Sequence, residues 1–363
     1  MTPTIGVVNV DLEALLDRQE GVATSAQILQ TLSRRAFDAH LRTGALERIW
    51  QGIYSRGAPD DWTRLRGLDL TAGKPVPVCL GTAAALYGFD TEEPKDLHVL
   101  NPVGSHLRHA DGLVIHRRDG APMAIAQGRP ATAPAWTAIE VARSLRRPRV
   151  LATLDAALRS GTCDRVELSR TVIKQSGRRG IVVVRELLPL ADPGAESPME
   201  SEARLVMIDG GLPMPELQYE VVDGRGKLRR LDFAWPQYKV AAEYDGLDWH
   251  SGADAMLADR ERTSALMDVG WTAISMVFED VRYRPDDLVA RINLDLSCGW
   301  CRGRGLLVGW WISRWAAGGS GVAYRRRSWS LVVGMWAGGQ VVCSACQPVS
   351  MRSLHGHPWG RRR

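Results

Sequence analysis

Between positions 10 and 57 apolar residues recur at helical spacing through DLEALLDRQEGVATSAQILQTLSRRAFDAHLRTG and then alternate through ALERIWQGIYS. This pattern predicts three short helices and then two strands that turn at Gln51-Gly52. Thr24 with Gln27 three residues on is a capping-box signature, Ser33 can cap the next helix, and Gly44 can close it. Residues 58–190 read as an α+β middle segment. VCLGTAAALYGF and TAPAWTAIEVARSLRRPRVLATLDAAL have helical patterns, whereas DLHVLNP and GLVIHRRD read as strands. In residues 196–296, ESEARLVMIDGG predicts a helix ending at Gly210-Gly211. PELQYEVVD, KLRRLDFAW and YKVAAEYDG predict strands, and AMLADRERTSALMDVG a long helix. The fold class expected is thus α+β and multidomain.

Helix, turn, helix and hairpin in residues 1–57 is the order of a winged helix-turn-helix. Its second helix would present Arg34, Arg35, His40 and Arg42 to the major groove of DNA, and its wing would offer Arg48 and Arg56 to phosphates. The same side chains would equally suit the solvated face of a protein-interaction module.

Composition changes this picture at one place. The 363-residue chain carries a formal charge of +5, but residues 297–363 contain ten Arg and no Lys, Asp or Glu. Taking those ten from +5 leaves −5, so basicity belongs to the tail and is no argument that the whole chain binds nucleic acid. The tail also holds seven of the thirteen Trp and two C-x-x-C pairs, Cys298 with Cys301 and Cys343 with Cys346. Four thiolates can hold zinc, but the spacing between these pairs exceeds that of zinc ribbons, and a disordered or adventitious tail is expected. A basic n-region followed by an apolar h-region is absent from the start, and no long uncharged apolar run precedes the tail. The expectation is therefore a cytoplasmic protein that does not use a membrane.

The chemistry concentrates in LDFAWPQYKVAAEYDGLDWH. A turn centred between Gln237 and Tyr238 sets Asp232 opposite Glu243, with Asp245 two residues along the same strand face. Like charges so opposed call for a divalent ion, a shifted proton or basic partners such as Arg229, Arg230 and Lys239. Mg²⁺, or Mn²⁺ in its place, would bind Asp232, Glu243 and Asp245 and leave positions open for phosphate oxygens. His98, His106, His109 and His116 lack a metal-ligand spacing and are expected to be ordinary surface or core residues.

LRTGALERIWQGIYS, GTAAALYGF and TAPAWTAIEVAR resemble the AbiEi-like antitoxins of type IV toxin–antitoxin systems. That likeness implies a DNA-binding winged-helix end and a cognate toxin protein as partner. The stretch from residue 231, with DRERTSALMDVGWTAISMVFEDV after it, resembles the very-short-patch-repair-like branch of the PD-(D/E)XK superfamily. This second resemblance implies a restriction-endonuclease-like α/β C-terminal domain that hydrolyses DNA phosphodiesters. Its site would comprise Glu200, or its neighbour Glu202, with Asp232, Glu243, Asp245, His250 and Arg262. Arg262 would stabilise the transition-state charge or pair with Asp259. Asp245 stands where many relatives carry Lys, and Ser275 where Arg is expected. Those departures favour the alternative reading, a repressor or antitoxin whose nuclease-like domain is inactive.

Overall fold

The computed structural model describes residues 10–298 except 90–94, 103, 105–106, 118–119 and 247–252. It is a mixed α/β structure with several small sheets. The first unit runs α1 (Val10–Arg18), β1 (Val22–Thr24), α2 (Ser25–Thr31), α3 (Arg34–Thr43), β2 (Leu46–Trp50) and β3 (Ile53–Arg56). The Thr24 hydroxyl accepts from Gln27 N at 3.1 Å while the Gln27 side chain accepts from Thr24 N at 2.9 Å, the reciprocal cap expected of that pair. Ser33 caps α3 at Ala36 N, and Gly44 closes it at φ +72°. Short β1 had no signal of its own in the sequence; it becomes a strand by pairing antiparallel with β3. Leu12, Leu16, Ile28, Phe37 and Leu46 bury the helices against this three-stranded sheet.

The middle unit contains α4 (Asp61–Ala72), α5 (Leu80–Leu86), β4 (Leu97–Leu100), β5 (Leu113–His116), β6 (Met123–Ala126) and β7 (Arg129–Thr132). Helices α6 (Pro134–Ala142), α7 (Arg147–Arg159), α8 (Arg165–Lys174) and α9 (Ile181–Leu187) follow. Parallel β4–β5 and antiparallel β6–β7 meet through Val78, which bridges Val99 on one side and Ala131 on the other. Every residue of α6 from Ala135 to Ala142 is buried, so apart from Thr137 and Glu140 the helix is apolar on all sides rather than amphipathic. Thr137 donates to the Thr132 carbonyl at 2.9 Å, and the Tyr87 hydroxyl donates to the same carbonyl at 2.9 Å. The motifs LYGF and TAPAWT therefore join at one buried acceptor. Gly180, at φ +84°, lies against the Arg143 carbonyl, where an added Cβ would come within 2.0 Å. Trp50 and Ile53 of the hairpin and Leu205 of the next unit belong to this same core.

The third unit runs α10 (Pro198–Asp209), β8 (Glu216–Val222), β9 (Leu228–Trp235), β10 (Val240–Tyr244), α11 (Ala253–Asp268), β11 (Thr272–Met276), α12 (Phe278–Arg282) and α13, residues 285–298. Its sheet has the order β11-β10-β9-β8, parallel between β10 and β11 and antiparallel elsewhere. Helix α11 makes the crossover that a parallel pair requires. On one face Phe233, Trp235, Val240 and Ala242 pack against Ala203 and Met207 of α10 and against Leu288, Ile292 and Leu296 of α13. On the other, Ala234 and Ala241 pack with Leu266 of α11 and Trp271. Burying a side chain such as Phe233 contributes about 1.5–3 kcal/mol, so both faces hold the sheet in place. α13 continues through Ser297 and Cys298, into the stretch the composition had assigned to the tail. Cys301, Cys343, Cys346 and the remainder of that tail lie outside the described residues.

Candidate functional site

The turn between β9 and β10 closes at Pro236–Lys239, with Tyr238 N donating to the Trp235 carbonyl at 3.0 Å. Val240 then lies opposite Trp235, Ala241 opposite Ala234 and Ala242 opposite Phe233. This is the register expected from the sequence. One step further the backbone ladder stops, and the Asp232 carboxylate takes over by accepting from Tyr244 N at 2.9 Å. On the opposite side of β9 the ladder to β8 skips Asp232 and Gln218, and Gln218 sits at φ +51°. A glutamine is uncommon in that region of backbone space, where it costs on the order of 1–3 kcal/mol.

Ser197 caps α10 by accepting from Glu200 N at 3.1 Å, so the two glutamates of the first turns point different ways. Glu200, 8 % exposed, accepts from Glu196 N at 2.8 Å and from the Gln218 amide at 3.2 Å. It therefore faces the sheet carboxylates. Glu202, 1 % exposed, is held instead by Arg146 at 2.8 Å, Arg282 at 2.9 Å and Arg149 at 3.7 Å. Of the two candidates for the helix acid, Glu200 is the one beside Asp232. Gln218, which the sequence did not single out, hydrogen-bonds both.

Burial is the largest influence on both acids. It pushes the Asp232 carboxyl upward against the opposing Tyr244 N–H and the Arg262 charge, and pushes the Glu200 carboxyl upward with help from Asp232 itself. Glu243 is ion-paired with Arg262, which reaches across from α11. Asp245 accepts a hydrogen bond from the Ser275 hydroxyl on β11, while its own N–H donates to the Met276 carbonyl at 2.9 Å.

The basic partners suggested by the sequence are engaged elsewhere: Arg229 with Asp223 at 2.7 Å, Arg230 with Glu196 at 2.7 Å, and Lys239 with the Val269 carbonyl at 2.9 Å. Arg262 does that work instead. The sequence named Arg262 as a charge stabiliser or a partner of Asp259, but not as the partner of Glu243. His250 lies outside the described residues, as does the side chain of Asp259. Among the described residues no three His, Cys, Asp or Glu side chains form a group able to hold a metal. Of the three acids expected to bind Mg²⁺ or Mn²⁺, Asp232 accepts from Tyr244 N, Glu243 pairs with Arg262, and Asp245 accepts from the Ser275 hydroxyl.

On the first unit, Arg34, Arg35 and Arg42 of α3 and Arg48 of β2 are exposed. Arg34 pairs along the helix with Asp38 at 3.4 Å, and Arg42 Nε donates to the Asp38 carbonyl at 3.4 Å. His40 is half-buried, its Nδ1 2.8 Å from the Ala36 carbonyl. Arg56, expected to point to phosphates, is turned onto α1 and pairs with Glu13 at 2.8 Å and Asp17 at 2.7 Å. Arg34, Arg35 and Arg42 thus share one exposed helix, while Arg56 faces the protein. In the middle unit, His98 Nδ1 lies 2.8 Å from His116 Nε2 with the rings stacked, and His109 accepts from Ile115 N at 3.2 Å. His106 lies outside the described residues. No described helix is long and apolar enough to cross a membrane.

Residues 76–190 match the AbiEi antitoxin C-terminal domain. The antitoxin likeness expected from GTAAALYGF and TAPAWTAIEVAR is thereby found in the middle unit, and it is to the C-terminal domain of such antitoxins. Two curated proteins of Mycobacterium tuberculosis, Uncharacterized protein MT2308 of strain CDC 1551 and Uncharacterized protein Rv2248 of strain H37Rv, are each 54% identical over 266 residues, 73% of this chain and 98% of theirs. A crystal structure of the RV2827C protein from M. tuberculosis aligns with 53% of this chain and 78% of its own at 19% identity and a TM-score of 0.38, a likeness too loose to carry an inference.

Proposed function

The chain belongs to the same family as the two M. tuberculosis proteins, and from that premise we propose that it is a regulator of toxin–antitoxin type that binds DNA and does not cleave it. The observation that carries this reading is the antitoxin domain at residues 76–190. In it, residues 10–56 act as a winged-helix reader, with α3 entering the major groove through Arg35 and Arg42. The middle unit is the part that meets a cognate toxin protein. The α-β-β-β-α-β order from α10 through β11 supports reading the third unit as a nuclease-like domain. Its acids are occupied by Arg262, Ser275 and backbone donors, which favours a structural or docking role over hydrolysis.

The test has two arms. In a gel shift with DNA upstream of its own gene, the protein binds, and Arg42→Ala lowers affinity while reducing the slope of log affinity against log salt by about 0.9 per lost phosphate contact. Co-expression with the neighbouring gene's product restores growth if that product is the toxin. No operator shift together with no neutralisation sinks the regulator reading. Mg²⁺- or Mn²⁺-dependent DNA cleavage that disappears in Asp232→Ala replaces it with an endonuclease.

A further inference from the structure

We infer that the Arg262 guanidinium is a built-in counter-cation for the acidic edge of the third unit, so that this edge is held together without a divalent metal. Asp232 and Glu243 lie one step beyond Phe233 and Ala242, the last paired residues of the β9–β10 ladder. From α11, Arg262 Nη2 donates both to the Glu243 carboxylate on β10 and to the Arg230 carbonyl on β9 at 3.1 Å. One nitrogen thereby ties the two strands together where their side-chain charges would push them apart. The Glu243 side chain is 17% exposed and that of Arg262 is 34% exposed, so the pair is partly shielded from water.

The charge balance explains why a monovalent group is enough. A divalent ion would match two ionised carboxylates, whereas Arg262 brings a single charge that persists at every accessible pH. Asp232 is served by a backbone donor, Tyr244 N at 2.9 Å, and Glu200 by Glu196 N at 2.8 Å, so the demand for positive charge at this edge is lower than the count of acids suggests. Ser275 further lowers it by donating to Asp245. Ser275, which stands where the nuclease-like resemblance leads one to expect Arg, and Arg262 are therefore two halves of one arrangement. The hydroxyl serves Asp245 on β11, and the guanidinium serves Glu243 from α11.

The test uses the full-length protein beside Arg262→Met and Arg262→Lys, with thermal melts in millimolar MgCl₂ or MnCl₂ against NaCl of matched ionic strength. Free Mn²⁺ is followed by electron paramagnetic resonance. The wild type is expected to melt at the same temperature in every salt and to leave the Mn²⁺ signal undiminished. Arg262→Met melts several degrees lower and is raised by Mn²⁺, because Glu243 has lost its counter-charge; Arg262→Lys recovers most of the loss. Stoichiometric Mn²⁺ uptake by the wild type overturns the inference, as does an Arg262→Met protein that melts with the wild type or is indifferent to Mn²⁺. Should Arg262→Met not fold, the wild-type Mn²⁺ titration and the Lys variant still decide. The inference goes beyond the regulator reading and stands apart from it: a failed operator shift leaves the Mn²⁺ result unaffected, and a positive Mn²⁺ titration leaves operator binding intact.

Discussion

Glu202 is the residue whose removal should be felt furthest. Its carboxylate joins three elements: α7 through Arg149, with Arg146 just before it; α10, on which it sits; and α12 through Arg282. Glu202→Ala would take a carboxylate away from beside Arg149, whose side chain is 7% exposed and whose charge stays buried. Removing one partner of a buried pair costs about 3–5 kcal/mol. Here the lower end applies, because the Arg146 and Arg282 side chains are 43% and 30% exposed and recover water. At roughly 2–4 °C per kcal/mol for a unit of this size, about 3 kcal/mol lowers the melting temperature by some 6–12 °C. Differential scanning calorimetry measures it, with Arg225→Ala as control. That residue pairs with Glu261 at 2.9 Å, both side chains exposed, and its loss should cost about 0–1 kcal/mol. A Glu202→Ala shift no larger than the control's would falsify the claim that this carboxylate couples the middle and third units.

The remaining expectations concern single sites. Asp232 has its folded-state pKa raised by burial, so its ionisation works against the fold; its contribution is favourable below the unfolded pKa and is lost as pH rises through the folded one. Melting curves of Asp232→Asn should therefore gain on wild type as pH increases across that window, and a gain that grows on acidification would contradict the assignment. Gly180→Ala meets both a positive φ and the Arg143 carbonyl, so urea titration should show destabilisation above about 1 kcal/mol; a neutral result would mean that the α8–α9 connection can move aside. Cys163, 7% exposed and with its thiol pushed up to about 12 by burial, should be inert to thiol reagents at pH 8 until the protein unfolds. Mass spectrometry of the labelled native protein reads that directly, and rapid modification at Cys163 would rule the burial out.

Local hydrogen-bond stereochemistry was legible in the sequence wherever a few neighbouring residues decide it. The Thr24–Gln27 cap, the Ser33 and Gly44 ends of α3, and the four-residue turn that sets Trp235 opposite Val240 are all found where the pattern puts them. Each depends on contacts within about one turn of chain, so a short window carries the information. The destinations of long charged side chains were not legible. Arg262 finds Glu243 across 19 positions, Arg56 finds Asp17 across 39, and Arg282 finds Glu202 across 80. Glu200 and Glu202, nearly adjacent in sequence, have different partners because one side of α10 meets β8 and β9 and the other meets α7 and α12. By itself the sequence determined which acids would stand at the end of the β9–β10 hairpin. Only the tertiary structure decided what neutralises them, because an ion pair is chosen by which surfaces packing brings within a few ångströms, and that choice involves the whole fold.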